Sequence, residues 1–416
     1  MDLFLTRTVG LLGVAIMVAI LARRLKLPYT VGLVITGIGL ALAHLQIGSM
    51  LSHAFIFDLI LPPLLFEAAL SLDWTAVRRD MRPIFVLSTL GVIISAAFVT
   101  AGMVNVLHWS LTPALIFSVL IAATDPIAVI ALFKDTGIKG RLRLLVESES
   151  LFNDGVAAVL FSLVISWQLG GSPLNVGTVI RVLLPMAAGG VLAGAVCAAI
   201  ALALIGRTND YLIETMVTTV AAYGSFQMAE HFHFSGVLAT VTTGLVMGNL
   251  GQFKNPEQRI LSPDGRAFLV AFWDFAAFIA NSLVFLLIGL AVSGIAFAGL
   301  GAGPLVGIIL LVLAGRALTV YPLCMLFHRT RWAIPAREQH ILWWGGLRGA
   351  LALALALSLP LGLSHRNDIL IAAFAVVIFS VVMQGLTMPW LLKLLRIVPG
   401  DPIPAPLQTK AETGDS

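Results

Sequence analysis

Long apolar segments fill almost the whole chain and are separated by short breaks rich in charged residues, Pro or Gly. A helix needs about 20 mostly apolar residues to cross a bilayer. The segments lack the period-2 alternation of strands in membrane barrels. The pattern therefore predicts an all-α polytopic membrane protein with about thirteen transmembrane helices. The predicted spans are 8–22, 28–45, 54–72, 83–106, 112–133, 142–166, 175–205, 210–229, 234–250, 267–292, 302–327, 338–358 and 367–394.

The basic residues predict how the spans are oriented. Twenty of the 25 Lys and Arg residues lie in the loops that follow odd-numbered spans, at the ends of those loops, or in the C-terminal tail. Arg23, Arg78 and Arg143 are examples. Basic loops face the cytoplasm in most membrane proteins. We therefore expect a multi-pass protein of the plasma or inner membrane, with its N-terminus outside and its C-terminus cytoplasmic. The net charge of +4 reflects this topology and does not indicate a nucleic-acid partner.

Composition predicts a single membrane domain. The chain is 59% apolar and 11% charged, with a mean hydropathy of +1.00, and no part resembles a soluble domain. We assign residues 1–398 to the transmembrane domain and 399–416 to a short, disordered cytoplasmic tail. Cys197 and Cys324 lie in spans far apart in sequence and outside any metal motif. The sequence therefore predicts no cofactor.

The spans divide into six, one linker span and six. The first repeat covers about 8–166, the linker 175–205 and the second repeat 210–394. A shift of seven spans inverts the second copy, and transporters built this way place their site at the midplane. Thr124-Asp125-Pro126 interrupts the fifth span and Gly345–Gly349 interrupts the twelfth. We expect two discontinuous helices that cross at the midplane.

The sixth span carries polar residues at a depth where charge is costly. Within Glu149–Asp154, residues Ser150, Asn153 and Asp154 occur at i, i+3 and i+4, so a helix places their oxygens on one face. An ionisable group near the bilayer centre costs roughly 2.5–3.5 kcal/mol. Oxygen donors that include a carboxylate suit a hard cation such as Na⁺, or a proton.

Six charged residues lie deep in the predicted spans: Glu67, Asp125, Glu149, Asp154, Arg316 and Arg348. Each buried arginine requires an anion, so two acids are neutralised and the remaining carboxylates are available to a cation or proton. The sequence alone does not decide which acids pair. Glu147, Asp58 and Asp274 lie nearer the ends of their spans and are predicted to be interfacial.

Six motifs together resemble one transporter family, the cation:proton antiporter-1 family, which includes NhaP-type prokaryotic antiporters and is related to the animal sodium/proton exchangers. The order of the motifs along the chain and within the topology also resembles that family. The motifs are Leu61–Leu70, Ala123–Val129, Glu149–Val156, Ser235–Gly248, Gly315-Arg316 and Trp344–Leu351.

The resemblance implies roles for five residues. Asp154 would bind a cation and a proton alternately. Asn153, Ser150 and Thr124 would complete or support the site for Na⁺ or Li⁺, and Glu67 would reach it through water.

The resemblance further implies two core ion pairs, Glu149 with Arg316 and Asp125 with Arg348. The Asn153-Asp154 dipeptide implies electroneutral exchange of one cation for one proton. The resemblance also implies a homodimer with a moving core domain and a dimerisation domain.

Other functions remain open from the residues alone. A K⁺/H⁺ antiporter would use the same chemistry, because the sequence does not show ligand distances. A cation channel usually requires an open pore or a ring of filter elements. Surplus deep carboxylate, rather than surplus arginine, disfavours anionic substrates and so an organic-anion or amino-acid transporter of inverted-repeat design. A membrane enzyme is disfavoured because no metal cluster, nucleophile triad or cofactor loop accompanies Asp154 and Glu149. Without the resemblance, the residues support only a cation-coupled secondary transporter.

Overall fold

The computed structural model describes residues 2–25, 27–43, 54–170, 176–250, 263–292 and 297–397. The described residues form helices and contain no strand, as predicted. Six helical stretches within them are long and apolar enough to cross a membrane. The predicted disordered tail, 399–416, lies outside the described residues.

Among the described residues, the first half of the chain forms ten α-helices. A π-helical stretch, Phe55–Ile60, precedes α3, and another, Val86–Leu90, joins α5 to α6. The helices are α1 (Asp2–Leu25), α2 (Tyr29–Leu42), α3 (Leu61–Ser71), α4 (Trp74–Arg79), α5 (Met81–Phe85), α6 (Gly91–Asn105), α7 (Leu111–Leu120), α8 (Ile127–Thr136), α9 (Arg141–Gly170) and α10 (Val176–Ile205).

The described part of the second half contains eight more α-helices, with a 3-10 turn, Phe297–Gly299, before α14 and a π-helical stretch, Ser380–Gln384, between the last two. They are α11 (Tyr211–His231), α12 (Gly236–Leu250), α13 (Pro263–Ala291), α14 (Ala302–Met325), α15 (Ala336–Trp344), α16 (Ala350–Leu357), α17 (Arg366–Phe379) and α18 (Gly385–Leu394). The interruptions predicted in the fifth and twelfth spans separate α7 from α8 and α15 from α16.

The helices pack in two groups. We call α1–α3 and α10–α13 the scaffold bundle, because these helices pack chiefly on one another. We call α5–α9 and α14–α18 the core bundle for the same reason. Small residues allow close packing in the scaffold bundle: Gly37 of α2 and Gly289 of α13 leave no room for a Cβ between their backbones. Both interrupted helices belong to the core bundle.

Polar contacts gather several odd-numbered loops at one end of the molecule. Arg141, at the start of α9, donates to the Asp80 carboxylate at 2.9 Å and to the carbonyl oxygens of Trp332 and Ala333 at 2.9 and 2.7 Å. The Trp332 indole N–H donates to the Arg79 carbonyl oxygen at 2.9 Å. The loops after the third, fifth and eleventh predicted spans therefore meet on one side, which we call the basic end.

Candidate functional site

The two interrupted helices cross through their extended segments. The Asp125 N–H, between α7 and α8, donates to the carbonyl oxygen of Leu347, between α15 and α16, at 2.7 Å. Pro126 cannot donate to a preceding turn, which favours the break before α8. The Arg348 N–H donates to Ser380 Oγ at 3.0 Å, so the π-helical stretch of the last span supports the second break.

Two charged side chains, the partly buried Asp125 and the buried Arg348, compensate the helix ends at this crossing. The Asp125 carboxylate accepts the Ile127 N–H at 3.0 Å and also interacts with the Ala350 N–H, so it caps the N-termini of α8 and α16. The Arg348 guanidinium donates to the carbonyl oxygens of Ala122 and Ala123, just after α7, at 2.7 and 3.0 Å. Helix N-termini favour anions and C-termini favour cations. Each charge therefore faces a helix end of opposite sign.

The structure does not bring Asp125 and Arg348 together as the ion pair that the resemblance implied. Within the described residues, the Arg348 guanidinium has no carboxylate partner and donates only to backbone carbonyl groups. The reason is local, because the broken helices expose unpaired N–H and C=O groups beside both side chains. Backbone dipoles provide the counter-charge that sequence reasoning assigned to a side chain.

Two glycines permit these approaches. A Cβ at Gly349 would overlap the Asp125 carboxyl group, and a Cβ at Gly346 would lie 2.7 Å from Arg316 Nε. The glycines of the twelfth span therefore do more than interrupt a helix. They leave space for two charged side chains to lie against the backbone.

Glu149 and Arg316 form a buried ion pair inside the core bundle. Two guanidinium nitrogens donate to the two carboxylate oxygens at 2.8 and 2.7 Å. The side chains are only 4% and 9% exposed, respectively. Arg316 also donates to the Leu342 carbonyl oxygen, near the end of α15, at 3.0 Å. This bidentate geometry joins α9 to α14 and α15.

Ser150 and Asn153 hold the extended segment at Thr124. Asn153 Nδ2 donates to Thr124 Oγ1 at 2.6 Å and to Glu149 Oε1 at 3.2 Å, while Asn153 Oδ1 accepts the Thr124 N–H at 3.2 Å. The Ser150 hydroxyl donates to the Thr124 carbonyl oxygen. Both amide donors and the amide oxygen of the fully buried Asn153 are therefore engaged with protein.

A cavity of about 440 Å³ reaches the crossing from the basic end and lies between the two bundles. Asp154, Ser150, Thr124 and Glu67 line it, whereas Asn153 does not. The sequence placed Ser150, Asn153 and Asp154 on one helix face, but Asn153 turns towards Thr124 and Glu149 instead. Of the four predicted site residues that line the cavity, three lie in the core bundle and Glu67 lies in the scaffold bundle.

Asp154 differs from Asp125 and Glu149 because it has no hydrogen-bond or ion-pair partner within the described part of the chain. Asp125 and Glu149 are close enough to repel a further negative charge on it. Asp154 lies eleven residues along α9 from Arg143, which is roughly 16 Å at the helical rise. A charged Asp154 is therefore a deep anion in a negative environment, open to the cavity and suited to a small cation or a proton.

The scaffold bundle contributes lining residues that sequence reasoning assigned elsewhere. Asp274 was predicted to be interfacial, yet it lines the cavity with Ala277, Phe278 and Asn281 of α13. These positions follow i, i+3, i+4 and i+7, so one stripe of the helix faces the cavity. That periodicity was visible in the sequence, but an apolar span offers no indication of which stripe faces an aqueous space. Glu147, also predicted to be interfacial, lines the same cavity.

Comparison with known proteins points to one family. The family profile described as "Sodium/hydrogen exchanger, transmembrane" matches residues 11–394. The Na(+)/H(+) antiporter ApNhaP of Aphanothece halophytica is 39% identical over 390 residues, covering 93% of this chain and 73% of that protein. The Na(+)/H(+) antiporter NhaH of Halobacillus aidingensis is 35% identical over 403 residues, covering 93% of this chain and 96% of that protein.

A solved structure has the same fold. The sodium proton antiporter MjNhaP1 from Methanocaldococcus jannaschii, at pH 8, matches with a TM-score of 0.73 and 21% sequence identity. The match covers 95% of this chain and all of that one.

Proposed function

This chain belongs to the sodium/hydrogen exchanger family of transmembrane proteins, and we propose that it is a secondary active antiporter that exchanges Na⁺ or Li⁺ for H⁺. The observation that carries the proposal is the position of the Asp154 carboxylate. It is a deep carboxylate that lines a cavity and has no protein partner within the described residues, beside helix ends whose charges are already compensated.

Exchange follows from competition for this carboxylate. A proton and a monovalent cation each neutralise Asp154, and the two cannot occupy the same oxygens together. An empty, charged site would be costly to carry across an apolar barrier, whereas either loaded form is neutral. One carboxylate that carries one single-charged ion each way gives electroneutral exchange of one cation for one proton.

The other predicted residues divide into ligands and supports. Ser150 and Thr124 line the cavity beside Asp154, and their oxygens are suited to a hard cation. Asn153 acts as a positioning residue, because its amide is occupied by Thr124 and Glu149. Glu67 lines the same cavity from the scaffold bundle and would reach the site through water.

Alternating access would come from movement of the core bundle against the scaffold bundle. Asp154, Ser150 and Thr124 all belong to the core bundle and would move together. In this arrangement the cavity reaches Asp154 from the basic end, which the distribution of Lys and Arg assigns to the cytoplasm. The N-terminus would then be outside and the C-terminus inside. The inverted repeats (8–166 and 210–394, with the linker span 175–205) and a homodimer remain part of the proposal.

Two alternative functions would use much of the same site. A K⁺/H⁺ antiporter would use the same carboxylate with a larger coordination shell. A cation channel would need an open pore or a ring of filter elements, whereas a single carboxylate site beside two interrupted helices favours a carrier. We therefore rank the K⁺/H⁺ antiporter ahead of the channel.

The test is proton movement in proteoliposomes with an acidic interior, followed by a pH-sensitive dye. Na⁺, Li⁺ and K⁺ are added in turn to the wild type, to Asp154→Asn and to Asp58→Asn. Asp58→Asn is the control, because it makes the same change at an exposed acid that does not line the cavity. We expect Na⁺ or Li⁺ to release protons in the wild type and the control, and not in Asp154→Asn, which should still fold.

Each result has a defined consequence. A response to K⁺ alone would retain the mechanism and change the substrate. Full transport by Asp154→Asn would remove Asp154 from the mechanism. Cation flux without proton coupling would favour the channel.

A further inference from the structure

An exposed ion pair connects the two bundles at the mouth of the cavity. Lys134 Nζ of α8 lies 3.9 Å from Asp274 Oδ1 of α13, and both side chains are about half exposed, at 54% and 52%. Lys134 belongs to an interrupted helix of the core bundle, while Asp274 belongs to the scaffold bundle. Both residues line the cavity that leads to Asp154.

Other charged groups face this pair from the surrounding helices. Glu67 of α3 interacts with Asp274 and is attracted by Lys134. Glu147 of α9 is close enough to repel a negative charge on Glu67. The ion-pair partner of Glu147 is Arg143, whose Nε lies 2.7 Å from Glu147 Oε1. Lys134, a cation of the core bundle, therefore faces two carboxylates of the scaffold bundle, those of Asp274 and Glu67. Arg143 is already paired with Glu147 within α9.

A contact between two bundles that move past each other exists in only one of their arrangements. We propose that Lys134 and Asp274 form a latch that stabilises the arrangement open towards the basic end, and that this latch releases when Asp154 turns to the other side. The inference rests on the proposed antiport, because it assumes that the core bundle moves. Glu67 strengthens the negative side of the latch.

The effect should be modest. Exposed ion pairs contribute little stability, which corresponds here to a change of about two- to fivefold in the equilibrium constant between the two arrangements. A transporter must populate both arrangements, so a strong latch would trap one of them. A weak pair biases the equilibrium without stopping the cycle.

The first test compares Lys134→Ala with Asp274→Ala in proteoliposomes, with Na⁺ supplied from the basic end. Loss of the latch lowers the population of the open arrangement, so both variants should raise the Na⁺ KM, by up to about fivefold. If the charges only attracted or repelled Na⁺, the two variants would change KM in opposite directions. Opposite changes, or no change in either variant, would overturn the latch. Lys139→Ala, an exposed lysine outside the cavity, is the control.

Exchanging the two charges provides a positive test. The double variant Lys134→Asp with Asp274→Lys restores opposite charges across the mouth and should return KM towards the wild-type value. Each single reversal places like charges together, so its Na⁺ KM should be higher than that of the alanine variant at the same position. A double variant no better than the single reversals would contradict a direct pairing.

A second readout needs no transport. Ala68→Cys introduces a thiol on the cavity wall of α3, in a background with Cys197→Ala and Cys324→Ala. A membrane-impermeant maleimide applied from the basic end should label the introduced thiol more slowly, by up to about fivefold, when either latch residue is alanine. An unchanged rate would refute the latch even if antiport is confirmed. If the latch variants are labelled more slowly but the wild-type protein shows no antiport, the latch is supported and the proposed function is not.

Discussion

Replacing Arg316 by Met tests whether the buried ion pair supports the core bundle. The change removes two charge-assisted hydrogen bonds to Glu149, at 2.8 and 2.7 Å, and one to the Leu342 carbonyl oxygen at 3.0 Å. It leaves the Glu149 carboxylate, only 4% exposed, without its counter-ion. The arginine stem is replaced by a side chain of comparable length, so packing changes least.

The magnitude follows from the burial of the charge. Removing one partner of a buried pair costs about 3–5 kcal/mol, because the remaining ion stays desolvated. Adding Glu149→Gln removes that ion and keeps an acceptor for Asn153 Nδ2, which now lies 3.2 Å from Glu149 Oε1. We therefore expect the double variant to recover most of the lost free energy of unfolding. Arg78→Met, at an exposed arginine, should change stability by less than about 0.5 kcal/mol.

The assay is thermal unfolding in detergent, followed by tryptophan fluorescence. A loss of about 3–5 kcal/mol should lower the apparent Tm by roughly 5 °C in a protein of this size. An Arg316→Met variant that unfolds at the wild-type temperature would refute the argument that the pair is structural. A double variant less stable than Arg316→Met would show that the uncompensated charge is not the cause.

Three further predictions concern the site itself. If Na⁺ and H⁺ compete, then at pH values where the empty site is mostly protonated, lowering the pH by one unit should raise the Na⁺ KM about tenfold; a pH-independent KM would exclude simple competition. Gly349→Ala forces a Cβ into the Asp125 carboxyl group and should reduce both transport and thermal stability, whereas Gly39→Ala has open space and should be close to neutral in the same two assays. Asn153→Asp loses its amide donor and places a carboxylate beside Glu149, so a cost of about 1–3 kcal/mol in unfolding free energy is expected, and an unchanged Tm would contradict it.

The positions of the helices and breaks were predictable because they depend on local chemistry. Apolar length marks the spans, and Pro126 and Gly345–Gly349 mark the breaks. Helix periodicity correctly placed Ser150 and Asp154 on one side of α9. It misplaced Asn153, since a residue between two faces turns towards whichever partner the neighbouring helices provide, here Thr124 and Glu149.

The partners of the buried charges depend on distances between helices that are far apart in sequence. The sequence established that Arg316 and Arg348 need compensation, since an arginine keeps its charge inside a membrane protein. Only the tertiary structure decided that Arg316 meets a carboxylate whereas Arg348 meets the carbonyl end of α7. Backbone groups at a broken helix are invisible as partners in a sequence.

The sequence by itself determined that this chain crosses a membrane, breaks two of its helices and carries more deep carboxylate than deep arginine. Burial cost and backbone geometry impose these features residue by residue. The tertiary structure alone decided that Asp154 has no protein partner among the described residues, that a cavity reaches it, and that Lys134 and Asp274 meet across the mouth. Those outcomes depend on how two bundles pack, and packing brings together residues that no local pattern relates.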